Sequence, residues 1–317
     1  MKKNNIFISQ PTWLSTLLKV LMAIFLILLL ICIVKVIWDC KHSNRTYTVV
    51  ERTGYLPEEE EWENIIDTVP PYKKEDLDSL PEKVSLEEFF PPIGDQGAHG
   101  TCVAWAVGYN LNTALNAIKN KWTPDQLKDP ANQTSPGDLW RGIDSADKGE
   151  VCYGTNFYSA LNVLQQKGAA NMQTVPTKTP LLPDKSCKGK FVGDSTNRIA
   201  SFHEVVAASS NGSGPGQLPS VQQIKAYLKD TIPLAISAHL GDSFNGWDDD
   251  TVLKSDTYLN PNNAHAYHAM VLSGYDDSKN AFRVRNSWGD WGDDGSIWVD
   301  YDYFINGFCR AVFMVEK

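Results

Sequence analysis

The apolar residues of this chain change their spacing part-way along it, and that change constrains the fold more than any other feature. Over 102–119, CVAWAVGYNLNTALNAIK, they recur at three- and four-residue steps, the period of a helix. A second helix is expected over 221–229, where Ser220 and Gln223 have capping-box spacing and Val221, Ile224 and Leu228 share one face. After Pro233 come four short runs rich in Val, Ile and aromatics, at 234–240, 269–275, 281–287 and 296–304. Asp, Asn and Gly clusters separate them, as expected of strands joined by turns. Helices followed by strands, without alternation, imply an α+β architecture in two lobes. The polar stretches 120–150 and 176–219 read as surface loops.

The N-terminal region differs in kind. VLMAIFLILLLICIV, residues 20–34, is an uninterrupted apolar run that extends over 12–38 if Lys19 and Lys35 snorkel. That length spans the ~30 Å hydrocarbon layer, with Trp13 and Trp38 suited to its interfaces. No small-x-small cleavage site follows, so the expected organisation is a cytoplasmic tail over 1–11 and a transmembrane signal anchor over 12–38. An acidic stem over 39–80 then leads to a globular domain over 81–317 on the extracytoplasmic side. The stem, with PEEEEWENIIDTVPPYKKEDLDSLPEK, is expected to be solvated; a second reading lays it across a cleft. A net charge of -9 with no basic run leaves little to neutralise phosphates, so nucleic acid is not an expected partner.

The chemistry centres on DQGAHGTCVAWA, residues 95–106. Cys102 opens the first helix, where the helix N-terminus and a neighbouring imidazolium favour the thiolate. In NAHAYHAMVLSGYDDSKNAFRVRNSWGDWGDDGSIW, residues 263–298, a hairpin turning near residue 277 sets His268 and Asn286 nine residues from its centre. They would then face each other on one side of the sheet, close enough for the amide oxygen to accept from an imidazole nitrogen. Nucleophile, base and orienting group are the parts of a catalytic triad. Gln96, six residues before Cys102, offers an amide N–H that with the Cys102 N–H would hold an oxyanion.

In DQGAHGTCVAWA, HAMVLSGYDD and NSWGDWGDDGSIW the sequence resembles the papain-like cysteine peptidases, and CYGTNFYSALNVL, residues 152–164, resembles their Cys-x-Gly-Gly segment. The resemblance covers about 81–317. It implies a cleft between a helical and an antiparallel β lobe, with Cys102 as nucleophile, His268 as base, Asn286 as orienter, Gln96 in the oxyanion hole and Trp288 shielding the His–Asn bond. It implies a peptide or protein substrate and no cofactor. The departures are His99 where many relatives carry a disulfide cysteine, leaving Cys187 as a possible partner for Cys152, and Val103 where an aromatic often follows the nucleophile. NSWGDWG is one residue shorter than the common spacing, and the stem expected over 39–80 is too short to fit a classical pro-domain.

Other readings are weaker on the residues. His265 breaks the hairpin count, and a zinc site at His99 and Cys102 lacks paired ligand spacing. A catalytically silent, membrane-tethered scaffold of the same shape, or an acyltransferase or amidase using the same thiol, would carry the same motifs.

Overall fold

The computed structural model describes residues 21, 22, 24, 54, 55, 77–149, 152–177, 189–206, 218–257 and 266–317. The chain divides into two units, Met1–Thr46 and Tyr47–Lys317. Of the first, only Leu21, Met22 and Ile24 are described; they are helical and exposed. The expected anchor therefore lies almost wholly outside the described residues, among which no helix is long and apolar enough to cross a membrane. All that follows concerns the second unit.

Its main helix, α1, runs over 102–120. It is wound as a wide π-helix across Ala104–Asn112 and as an α-helix across Thr113–Asn120. Every residue of the π-wound half is buried, so that half is enclosed on all sides rather than lying on a surface. Gly108 permits this, because a Cβ there would sit 2.8 Å from Leu139 Cδ2. Leu139 belongs to α2 (Pro136–Gly142), which corrects the expectation of a plain loop over 120–150. Ser135 caps it by accepting from Asp138 N–H, and proline stands in its first turn. The buried Asp138 carboxylate accepts from the backbone N–H groups of Ala170, Val192 and Gly193, and so pins the surrounding segments together. Helix α3 (Phe157–Gln166), capped by Asn156, completes this lobe, burying Phe157, Leu161 and Leu164.

The second lobe is one eight-stranded sheet: β1 (Lys83–Ser85), β2 (Ser201–Glu204), β3 (Leu234–Leu240), β4 (Val252–Leu253), β5 (Ala266–Asp276), β6 (Ala281–Arg285), β7 (Ser296–Asp300) and β8 (Cys309–Glu316). Its order is β2-β8-β3-β5-β6-β7-β4, with β1 pairing β5 as a branch. All pairs are antiparallel except β4 with β7. Helix α4 (Val221–Lys229) forms over the predicted residues with the predicted capping box: Ser220 accepts from Gln223 N–H and the Gln223 side chain from Ser220 N–H. The run expected as one strand over 296–304 instead turns at Tyr301 into a short helix and a π-turn, Phe304–Phe308, before β8. One apolar core joins both lobes, from Leu111 and Phe157 to Val271 and Phe313.

Candidate active site

The β5–β6 hairpin turns over Asp277–Asn280, and a bulge near Ser273 shifts the pairing so that Val271 faces Arg285. Continued along the strands, that register sets Trp288 opposite His268 and Asn286 one diagonal step away, correcting the expected direct opposition. The shift is two residues, so the strand alternation leaves both side chains on the predicted face. His268 Nε2 lies 2.7 Å from Asn286 Oδ1, and both residues are buried. The same oxygen accepts from Ser287 N–H at 2.8 Å. An amide oxygen only accepts, so Nε2 carries a proton, and whenever the ring is neutral its lone pair falls on Nδ1.

Aromatic rings close over this bond. The Trp288 ring stands 4.9 Å from that of His268, and Phe244 and Trp291 pack behind it at 5.4 Å each. Excluding water here strengthens the hydrogen bond and fixes the ring.

The loop before α1 is stitched to the segment after β6. Gln96 N–H donates to Ser287 O at 2.9 Å, Gly289 N–H donates to Gly94 O at 3.0 Å, and Asp95 bridges Trp288. Gln96 is buried; its Nε2 donates to His99 O at 2.8 Å and its Oε1 accepts from Ser287 Oγ at 2.7 Å. The neighbouring Arg285 is also buried. It pairs with Glu87 at 2.8 Å and donates to Asn110 Oδ1 and Pro91 O, tying β6 to α1 and to the entry segment.

Trp105 N–H donates to Thr101 O, setting Cys102 in the first turn of α1. Its sulfur meets the backbone N–H groups of Ala269, Val103, Gly54 and Cys102 itself; Ala269 directly follows His268, so the thiol lies against that part of β5. Sequence reasoning expected a lowered thiol pKa. Burial instead pushes it up to about 12, outweighing the N–H groups that pull it down.

Part of that burial comes from the stem, where a solvated chain was expected. Gly54 and Tyr55 are buried between the lobes: Gly54 O accepts from Thr155 N–H at 2.9 Å, and Tyr55 N–H donates to Tyr267 O at 3.2 Å. The Tyr55 ring packs 5.1 Å from Phe157. Tyr55 bridges Thr155 in the parallel sense. Glycine is required at 54, since a Cβ would fall 2.3 Å from Gly100 Cα.

The structure thus brings together Cys102, His268, Asn286, Gln96 and Trp288. Sequence reasoning missed Ser287 and the Ala269 N–H; it raised a stem across the cleft as a second reading but did not single out Gly54 and Tyr55, whose one sequence signal is a glycine ahead of the charged stretch. Cys152 is disulfide-bonded, and its partner lies outside the described residues, as does the expected Cys187. Cys102 and Cys309 are free and buried. His265 lies outside the described residues, and no cluster among the described residues fits a metal ion.

The family profile described as papain family cysteine protease matches residues 80–311. The chain belongs to this family. It is a cysteine protease, hence a hydrolase, with the papain-like α+β fold. Among solved structures it is similar to xylellain, a cysteine protease from Xylella fastidiosa, at 22% identity and a TM-score of 0.64, covering 86% of this chain and 98% of that one. It is also similar to procathepsin B S9 from Trypanosoma congolense, at 15% identity and a TM-score of 0.61, covering 86% and 89%. Procathepsin L2 from the larval midgut of Tenebrio molitor matches at 16% identity and a TM-score of 0.60, covering 86% and 79%. At these identities the structural likeness speaks for the fold. No curated protein matches the sequence.

Proposed function

We propose that this chain is a bilayer-anchored cysteine peptidase that hydrolyses peptide bonds with Cys102, His268 and Asn286 as its triad and Gln96 in its oxyanion hole. The observation that carries the reading is the 2.7 Å contact of His268 Nε2 with Asn286 Oδ1 beside a thiol flanked by Ala269 N–H. The Cys102 proton passes to His268 Nδ1 as the sulfur attacks the substrate carbonyl carbon. Gln96 Nε2 and the Cys102 N–H hold the oxyanion. His268 then protonates the leaving amine as the C–N bond breaks, which leaves a thioester on Cys102. Water, deprotonated by His268, attacks the thioester, releasing the acid product and restoring the thiol. Purified Gly54→Ala chain, whose added Cβ forces residue 54 off the Gly100 backbone, should cleave a peptide library, and adding Cys102→Ala or His268→Ala should abolish that turnover; equal activity with and without Cys102→Ala in this background would refute the assignment.

The stem restrains this activity in our reading. Gly54 and Tyr55 occupy the place of a substrate, but the Gly54 carbonyl is held by Thr155 N–H rather than by the oxyanion donors, so its bond to Tyr55 is not presented for attack. Opening the stem returns water to Cys102 and lets the thiolate form against His268. The anchor itself rests on the apolar run over 12–38, with the N-terminus cytoplasmic and the catalytic domain, about 81–317, outside. Carbonate extraction and protease protection of sealed vesicles test it; release of the chain into the soluble fraction would remove the anchor from the proposal.

A further inference from the structure

The far end of α1 carries a second concavity that the peptidase chemistry does not use. A cavity of about 200 Å³ lies among Asn116 and Asn120 of α1, Trp122 just beyond it, Asn132, Asn171 and Asp194. Asn116 is fourteen residues after Cys102, which at up to ~1.5 Å per residue puts the cavity roughly 20 Å along the helix from the thiol. A ligand there would not touch the reacting atoms.

The wall has an unusual chemical make-up. Its amides are held in place by one half and leave the other half available. Asn116 Nδ2 donates to Asn197 Oδ1, Asn120 Nδ2 to Asn116 O, and Asn132 Nδ2 to Gln126 O, while Asn171 Oδ1 accepts from Thr174 N–H. Asp194 Oδ1 is taken by Thr196. The opposite atoms, namely three amide oxygens, the Asn171 amide nitrogen and Asp194 Oδ2, have no protein partner among the described residues. Donors and acceptors are thus mixed, beside one half-buried indole.

Charge narrows the ligand. The wall contains a carboxylate and no Lys or Arg, so an anion would be repelled. Behind it the Lys317 ammonium donates to Asn112 Oδ1 and Asn197 Oδ1, which disfavours a cation. A hydrocarbon would strand the amide groups. A neutral polyhydroxylated ring meets all three conditions: its hydroxyls both donate and accept, and its C–H face can lie on the electron-rich face of Trp122. At roughly 30 Å³ per water, the space holds about seven waters, which suits a single sugar ring.

We propose that this cavity is a neutral-saccharide site, an exosite in the helical lobe separate from the peptidase centre. The inference does not depend on the catalytic assignments. The probes are glucose, galactose, mannose and N-acetylglucosamine, presented to full-length protein in a sugar-free detergent and read by saturation-transfer NMR. At least one should bind with Kd of about 1 mM, and Trp122→Ala should weaken it about tenfold or more. Asn132→Ala, at a partly exposed side chain, serves as the second variant, with short-peptide turnover as the check that both variants are folded. Glucuronic acid and glucose 6-phosphate should not bind. The source of the sugar is separated by cleaving one protein substrate with and without its N-glycans. A lower KM for the glycosylated form that is lost in Trp122→Ala, at unchanged kcat, assigns the site to substrate glycans. Equal KM values with monosaccharide binding retained assign it to free sugar. No transfer to any of the four sugars, or transfer undiminished in both variants, overturns the proposal.

Discussion

The two ends of helix α1 are built for opposite relations with water. At its start Cys102 is fully buried, backed by Ala269 of the sheet and sealed by Gly54 and Tyr55, so the thiol is pushed up to about 12. At its end Asn116, Asn120 and Trp122 border an open, polar cavity with hydrogen-bonding atoms to spare. The first half is enclosed in a core that spans both lobes and the second half is amphipathic, with Lys119 and Asn120 exposed. The difference teaches that burial at the reactive end is imposed in part by residues 54 and 55, brought in from far along the sequence, whereas the polarity at the other end is built into the wall.

The largest effects should come from the reactive end. Cys102→Ala and His268→Ala should each lower kcat/KM on a peptide substrate by about 10⁴-fold or more, since triad members act as a unit. Asn286→Ala should lose less, about 10- to 100-fold, because it removes the partner that fixes the His268 ring without removing the base. Gly54→Ala works in the other direction: its Cβ cannot share space with the Gly100 backbone, so the stem must lift. Activity of the full chain should rise about tenfold or more. The smallest effect belongs to the far end, where Trp122→Ala should leave short-peptide turnover within about twofold of wild type, as expected of a half-buried site remote from the chemistry. A large loss there would erase the contrast between the ends.

Away from this helix, acid stability offers one further check. Hydrogen bonds from Ser278, and then the ion pair with Lys83 at 2.9 Å, hold Asp276 down at about 2, below its ordinary 3.8. A depressed carboxylate stabilises the fold above its unfolded value and loses that contribution as pH falls through the folded one. Asp276→Asn should therefore flatten the decline in thermal midpoint between pH 4 and about 2, measured by circular dichroism.

Much of this was legible in the sequence, for reasons visible in particular residues. The start of helix α4 was readable because the Ser220 and Gln223 side chains each accept from the other's backbone N–H. Strand β3 was readable because Leu234–Leu240 is a short buried run between turn signals. The His268–Asn286 contact survived a wrong register because an even slip keeps a strand's faces: the turn lies further along than residue 277, an odd slip that the bulge near Ser273 makes even, and that bulge has no signature in the residue pattern. Strands β1 and β2 were missed because three or four residues without alternation are set by the partners they pair with, β5 and β8. Strand β8 was hidden behind the aromatic run Tyr301–Phe308, which looks like more strand until its chain turns. A stem laid across the cleft was raised as a second reading, but the residues that seal Cys102 were out of reach, since their contacts to Thr155, Tyr267 and Gly100 are all distant in sequence.

The central claim is that Cys102 is an imidazole-activated nucleophile restrained by its own stem. The most direct test is the alkylation rate of Cys102 against pH, read by mass spectrometry of its peptide, in the full chain, in Gly54→Ala and in Gly54→Ala combined with His268→Ala. The account predicts slow modification of the wild type, fast modification of Gly54→Ala that persists below about pH 7, and loss of that low-pH reactivity when His268 is removed. Reactivity in Gly54→Ala that rises only near about pH 8.5, alike with and without His268, would contradict it.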